Sequence, residues 1–228
     1  MDSNFRGVRA VVFDAYGTLF DVASAAERAR DALGPQWPQI ADTWRTKQLQ
    51  YTWLRTLMRR HADFWRVTGD ALDFALELHG AASAEVRERL MGLYRSLDAY
   101  PDARPSLERL RDAGLARAIL SNGEPGMLAD AARSAGLAEL LDAILSVEDV
   151  GVYKPHPDVY SLATRELGRS RDEVAFVSSN GWDAYGAKTF GLRVIWCNRA
   201  RAPRERIPVE PDATVASLAE LPDLLLGQ

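Results

Sequence analysis

The chain has 228 residues, of which 47% are hydrophobic, 26% charged and 9% aromatic, enough apolar content to build a substantial core and too much for a disordered or fibrous chain. With 28 Lys and Arg against 32 Asp and Glu, the formal net charge is −4; the whole-molecule field favours neither nucleic acid nor an anionic membrane surface, so an anionic ligand has to be drawn in by a local site. Cys197 is the only cysteine, which excludes an internal disulfide or a cysteine metal site and fits a reducing, cytoplasmic setting.

The polar stretch 1–7 lacks a basic segment leading into an apolar core, and no apolar run approaches about 18 residues. A soluble, unprocessed protein is expected. Residues 8–13 are a short β-branched run that stops at Asp14, before the turn-prone Tyr16-Gly17-Thr18; they read as a strand buried on both faces. From 21 to 97 the pattern is helical, with long stretches at 40–60 and 62–79. After residue 100, strand-like runs at 116–120, 143–147, 174–177 and 194–197 alternate with helices, the rhythm of parallel βαβ units. Gly114, Gly136, Gly168 and Gly191 fall where those helices hand over to strands, as left-handed C-terminal caps would. The basic, proline-containing stretch 199–211 reads as a surface loop without chemistry.

The fold class is therefore α/β: a Rossmann-like open parallel sheet formed by residues 1–20 and 98–228, interrupted by an all-helical cap over 21–97. Ligands of such sheets bind at the carboxyl ends of the strands. There this sequence places Asp14, Ser121 with Asn122, Ser178 with Ser179, Asn180 and Asp183, and Lys154 in a further loop. Four strands deliver polar groups to one edge. In the cap, Arg45 shares a helix face with Ala41, Leu49 and Trp53, while Lys47 points away; an arginine on an apolar stripe suggests a buried anion. His61, His79 and His156 build no site by spacing.

The segment Phe13-Asp14-Ala15-Tyr16-Gly17-Thr18-Leu19 resembles the nucleophile motif of the haloacid dehalogenase superfamily. Ser121-Asn122-Gly123, Lys154-Pro155 and the segment ending at Asp183 are similar to its second, third and fourth motifs, in order. Residues 43–55 of the cap resemble type II (S)-2-haloacid dehalogenases. The commoner phosphatases of the superfamily carry Asp-x-Asp in the first motif and a further metal-binding Asp in the fourth; here those positions are Tyr16 and Ser179. Magnesium needs hard oxygen ligands, and phosphoryl transfer needs a cation and an acid for its leaving oxygen. A halide needs no protonation.

The resemblance implies that Asp14 attacks the carbon bearing halogen from behind and forms an ester that water hydrolyses. Lys154 would keep Asp14 ionised. Asp183 would orient or deprotonate the water, with Ser178 and Asn180 hydrogen-bonding around it. Ser121 and the backbone N–H groups near Asn122 suit a substrate carboxylate. Ala15, Tyr16, Thr18 and Tyr160 complete the substrate-binding set. Arg45 and Asn122 would hold the halide, with Phe64 and Trp182 as apolar walls. Gly181, where these dehalogenases more often carry alanine, would leave its loop more permissive. The expected partner is a small halogenated carboxylic acid, without metal, cofactor, nucleic acid or membrane. The expected assembly is a homodimer in the cytoplasm, with Trp37, Trp44, Trp53 and Trp65 available for an interface. A magnesium-dependent phosphatase and a catalytically silent module are the alternatives.

Overall fold

The computed structural model describes residues 3–22 and 27–227. Six parallel strands form one sheet: β1 (Ala10–Phe13), β2 (Ala116–Ser121), β3 (Ala143–Ser146), β4 (Val174–Ser178), β5 (Arg193–Cys197) and β6 (Ala213–Val215), in the order β3-β2-β1-β4-β5-β6. β1 lies at the centre and is wholly buried. That is why it reads as an unbroken apolar run rather than an alternating one. Its Phe13 is in register with Ile119 of β2 and Val177 of β4, so Asp14, Ser121 and Ser178 emerge at one edge. The chain order reverses between β2 and β4 across β1, and such switch points open a crevice for ligands.

Between β1 and the return of the chain at Asp98, the described residues include the helices α1 (Arg30–Leu33), α2 (Trp37–Leu57), α3 (Phe64–Leu78) and α4 (Ala84–Tyr94). α2 buries Ile40, Trp44, Gln48 and Thr52, a stripe spaced by four residues that packs on α3. α3 starts where the Asp63 carboxylate accepts from the Arg66 N–H at 2.8 Å, an N-terminal cap. The chain leaves and re-enters the sheet layer side by side. The Asp21 N–H donates to Asp98 O at 2.8 Å and the Tyr100 N–H to Leu19 O at 2.9 Å, with Phe20 bridged to Ala99. A second junction lies on the far side, where His61 Nε2 is 2.8 Å from Glu148 Oε2 and the Tyr153 hydroxyl donates to Ala62 O at 2.5 Å.

The remaining helices, α5 (Ala103–Asp112), α6 (Pro125–Ser134), α7 (Pro157–Leu167), α8 (Gly181–Phe190) and α9 (Leu221–Leu226), accompany the strands. The four glycines expected at helix ends all take positive φ, from 61° to 103°. β6 has no counterpart in the sequence reading. It is three residues long, half-exposed, and depends on Asp212, whose carboxylate receives Lys188 Nζ at 2.7 and 2.8 Å and the Val194 N–H at 2.8 Å. Too short to show a period, it is defined by contacts from elsewhere in the chain.

Candidate active site

Asp14 is the first residue beyond β1. Its N–H still donates to Val177 O of β4, at 2.9 Å, so the backbone is tied to the sheet while the side chain enters the crevice. Oδ1 accepts from Lys154 Nζ at 3.0 Å; Oδ2 accepts from Asn180 Nδ2 at 2.8 Å and from the Thr18 hydroxyl at 3.2 Å. Thr18 in turn accepts from the Ser179 N–H at 2.9 Å. Three donors therefore fix the orientation of a carboxylate that is only 6% exposed.

Lys154 is itself buried, and its Nζ donates a second bond to Asp183 Oδ2 at 2.8 Å. Burial works against the ammonium, but Asp14 and Asp183 more than offset it and hold the lysine above its ordinary pKa. Its position is set from behind by Asn122, whose Oδ1 accepts from the Lys154 N–H at 3.0 Å. Asp183, in the first turn of α8, is completely buried. Desolvation pushes its carboxyl up to about 6, against the lowering pull of Lys154. The Tyr160 hydroxyl donates to Asp183 Oδ1 at 2.7 Å, and burial keeps that phenol well above its usual range, so it remains a donor. Tyr160 is thus a partner of Asp183.

The serines at the strand ends shape turns. Ser178 Oγ accepts from the Asn180 N–H at 3.1 Å, and Ser121 Oγ from the Gly123 N–H at 3.1 Å. Gly123 is needed for close approach: a Cβ there would lie 2.8 Å from Leu128 and 2.9 Å from the Tyr16 ring. The Tyr16 ring stacks on Phe64 with centroids 5.7 Å apart and touches Tyr94 at 5.4 Å. Its buried hydroxyl has no hydrogen-bond partner among the described residues. Ala15, wholly buried, gives its carbonyl to the N–H groups of Thr18, Leu19 and Phe20.

From the helical side, Arg45 reaches the crevice. Nη2 donates to Asn180 Oδ1 at 3.4 Å and Nη1 to Gln48 Oε1 at 2.7 Å. The four residues expected around a halide have separate anchors: Arg45 on Asn180, Asn122 on the Lys154 backbone, Phe64 on the Tyr16 ring, and Trp182 edge-on to Trp53 at 5.5 Å. Lys47 does point away, with its Nζ 4.3 Å from the Phe74 ring centroid. Sequence reasoning missed Gln48, Thr68 and Tyr94, three buried polar side chains behind Arg45. The available signal was Gln48 at the i+3 position from Arg45, on the helix stripe of Ile40 and Trp44.

The 199–211 stretch is a surface loop over 201–210, but its first residue is tied to the fold. Arg199 is not idle: it donates to Asp102 at 2.7 and 2.8 Å and to the Thr18 carbonyl at 3.1 Å, bracing the turn that carries the nucleophile motif. Gly181 faces the same stretch: a Cβ there would lie 2.5 Å from Glu205 Oε1. The exposed loop fills that flank. Of the four tryptophans considered for an interface, Trp44 is 5% exposed and part of the core, while Trp37, Trp53 and Trp65 are partly buried.

Among the described residues, no group of three or more His, Cys, Asp or Glu side chains could hold a metal ion. What the edge does assemble is an oriented buried carboxylate, a second carboxylate of raised proton affinity joined to it by an ammonium, and a guanidinium close by. These are the parts of a nucleophile, a base for water and an anion site.

The profile of the haloacid dehalogenase-like hydrolases matches residues 8–191. The (S)-2-haloacid dehalogenase 1 of Pseudomonas sp. strain CBS-3 is 46% identical over 220 residues, covering 96% of this chain and 97% of its own length. The (S)-2-haloacid dehalogenase 4A of Burkholderia cepacia is 45% identical over 219 residues, covering 96% and 95%. The structure of the L-2-haloacid dehalogenase of Xanthobacter autotrophicus with chloropropionic acid covalently bound superposes with a TM-score of 0.89 at 42% identity, covering 97% of this chain and 99% of the other.

Proposed function

Because the chain belongs to the haloacid dehalogenase-like hydrolases, and within them to the (S)-2-haloacid dehalogenases, we propose that it hydrolyses short (S)-2-haloalkanoic acids to (R)-2-hydroxy acids through an ester on Asp14, with haloacetates also as substrates. One observation carries the assignment of the nucleophile: the Asp14 carboxylate is oriented by Lys154, Thr18 and Asn180, with an aromatic ring in place of a second carboxylate two residues on.

An Asp14 oxygen attacks C2 opposite the halogen; the C–O bond forms, the carbon–halogen bond breaks, and halide leaves with the electron pair, inverting the carbon. Arg45 and Asn122 attract the departing anion, and Phe64 and Trp182 keep its surroundings apolar. Water then attacks Cγ of the ester and gives its proton to Asp183, whose raised proton affinity suits a base working near neutrality. Charge develops on the oxygen that does not carry the ester, and the donors already on the Asp14 carboxylate stabilise it. Collapse expels the alkoxide of the hydroxy acid, which takes the water proton left on the Asp14 carboxyl and so returns Asp14 as a carboxylate, and the proton on Asp183 passes to solvent.

The helices between the paired linkers form a cap over 21–97 on a core of 1–20 and 98–228, closing the site over the sheet edge. Ser121 and the turn it stabilises hold the substrate carboxylate, while Ala15, Tyr16, Thr18 and Tyr160 shape the pocket. A homodimer is supported by Leu54, Leu57 and Met58, which are 49%, 80% and 60% exposed at the end of α2. A cytoplasmic setting fits the single cysteine; among the described residues no helix is long and apolar enough to cross a membrane.

The test is halide release from both enantiomers of 2-chloropropionate in chelator, beside phosphate release from phosphomonoesters in magnesium. Halide from the (S) enantiomer alone supports the reading; phosphate without halide overturns it.

A further inference from the structure

Arg45 reaches the crevice at the far end of a buried polar cluster within the cap. Gln48 is 1% exposed, Thr68 0% and Tyr94 1%. Gln48 Oε1 accepts from Arg45 Nη1 at 2.7 Å, its Nε2 donates to Thr68 Oγ1 at 2.8 Å, and the Tyr94 hydroxyl lies 3.1 and 3.2 Å from the two amide atoms. Thr68 donates to Phe64 O at 2.7 Å, and the Thr68 carbonyl accepts from Trp44 Nε1 at 2.9 Å. The amide is thus fixed from three helices, with its oxygen on the guanidinium. A buried polar side chain gains little over an apolar one of equal shape, so packing alone does not account for an amide here.

The chemistry of the acceptor matters. A neutral amide oxygen orients a guanidinium without neutralising it, whereas a carboxylate would pair with the charge and shield it from any other anion. Arg45 also has somewhere else to go. It lines a cavity of about 380 Å³ together with Gln48 and Tyr94 as well as Trp37, Ala41 and Trp44, and the exposed Asp42, three residues before it, is an alternative partner at that cavity.

We propose that Gln48 is a positioning residue for anion binding: its neutral oxygen holds Arg45 towards Asn180 and away from Asp42 while leaving the positive charge free for the substrate and the departing halide. This rests on the dehalogenase reading, under which Arg45 meets the halide. Gln48→Glu keeps the shape but supplies a carboxylate; Gln48→Met keeps the volume but removes the acceptor.

The experiment measures chloride affinity of each variant twice, as inhibition of turnover of (S)-2-chloropropionate and as the chloride-dependent rise in melting temperature, which needs no turnover. Affinity should fall in the order wild type, Gln48→Met, Gln48→Glu: by about tenfold in Gln48→Met, as expected for loss of a hydrogen bond to a charged group, and further in Gln48→Glu, whose carboxylate pairs with the guanidinium charge. KM should rise in the same order. Equal or tighter binding by Gln48→Glu than by Gln48→Met overturns the proposal. So does a lowered melting temperature with unchanged chloride affinity in both variants, which would mark Gln48 as packing. Should Gln48→Glu not fold, Gln48→Met with wild-type affinity overturns it on its own. A wild-type protein that releases no halide sinks the dehalogenase reading instead, and the chloride melting series still decides the part played by Gln48.

Discussion

Lys154 Nζ donates to Asp14 Oδ1 at 3.0 Å across 140 residues of sequence, and the lysine is 1% exposed. Removing that ammonium leaves Asp14 and Asp183 as two buried carboxylates facing one another. Lys154→Met should therefore cost about 3–5 kcal/mol of stability, as for breaking a buried pair by deleting one partner. Turnover should fall at least about a hundredfold, the scale for a donor lost from a developing oxyanion. Urea unfolding and halide release on the same preparation check both; wild-type stability would show that the ion pair is not held as described.

Asp14→Asn keeps the shape and removes the proposed nucleophile. The fold should survive, because Lys154 keeps Asp183 as its partner at 2.8 Å. Halide release should disappear, and mass spectrometry after incubation with (S)-2-chloropropionate should find no ester adduct. Undiminished release would remove Asp14 from the mechanism.

The buried Asp183 carboxyl, pushed up from the usual 3.8 to about 6 by desolvation, sets a direction for pH. As a base it must be ionised, so hydrolysis of the ester should slow as pH falls through about 6, read by quenched single turnover. Stability runs the other way. A carboxyl that binds its proton more tightly in the folded state favours folding most below the unfolded pKa, and that contribution is lost as pH rises through the folded value. Asp183→Asn should remove both dependences and let the ester accumulate; an unchanged profile would assign the titration to another group.

The parts of the site that lie at strand ends were legible in the sequence, because a parallel sheet buried on both faces writes its strands as plain apolar runs and the next polar residue marks the crevice. Asp14, Ser121, Ser178 and Asn180 come from that rule alone. Lys154 needed the motif order, since nothing local separates it from an exposed loop lysine. Gln48 was hidden because two of its three partners, Thr68 and Tyr94, lie on other helices. Arg199 was hidden because a basic residue at the start of an exposed loop looks solvated until Asp102 and Thr18 are brought beside it. β6 is defined by Asp212, outside its own three residues. Local pattern places backbone elements; it does not say which buried polar groups meet across them.

Arg199→Ala tests that hidden brace. It removes two bonds to Asp102 and one to the Thr18 carbonyl, from a pair whose side chains are 19% and 15% exposed. A loss of about 1–3 kcal/mol is expected for a buried partner left unsatisfied. Although burial raises it, the Asp102 carboxyl is held below its ordinary 3.8 by Arg199 and Ser217. A depressed carboxyl contributes stability above its unfolded pKa and loses it as pH falls through the folded one. The difference between variant and wild type in urea unfolding should therefore be full at neutral pH and shrink below about pH 4; a difference independent of pH would show that Asp102 is not the partner that matters.

Gly181→Ala asks whether the loop over α8 is part of the machinery or merely lies against it. A methyl group there meets Glu205 Oε1 at 2.5 Å and Glu205 Cγ at 3.0 Å, and Glu205 belongs to the run 201–210, exposed throughout. The side chain has open solvent to move into, so the clash is relieved by rotation rather than by shifting the backbone. Gly181 is also the first residue of α8 and lacks the positive φ that would penalise alanine. The lower entropy of the unfolded alanine chain should then prevail, raising stability by about 0.4–1 kcal/mol. Asn180 and Trp182 flank the substitution, so kcat/KM for (S)-2-chloropropionate reports directly on whether the loop has moved. It should stay within about twofold of wild type; a loss approaching tenfold, about 1.4 kcal/mol in the barrier, would show that Glu205 sets the position of Asn180 and hence of the Asp14 carboxylate.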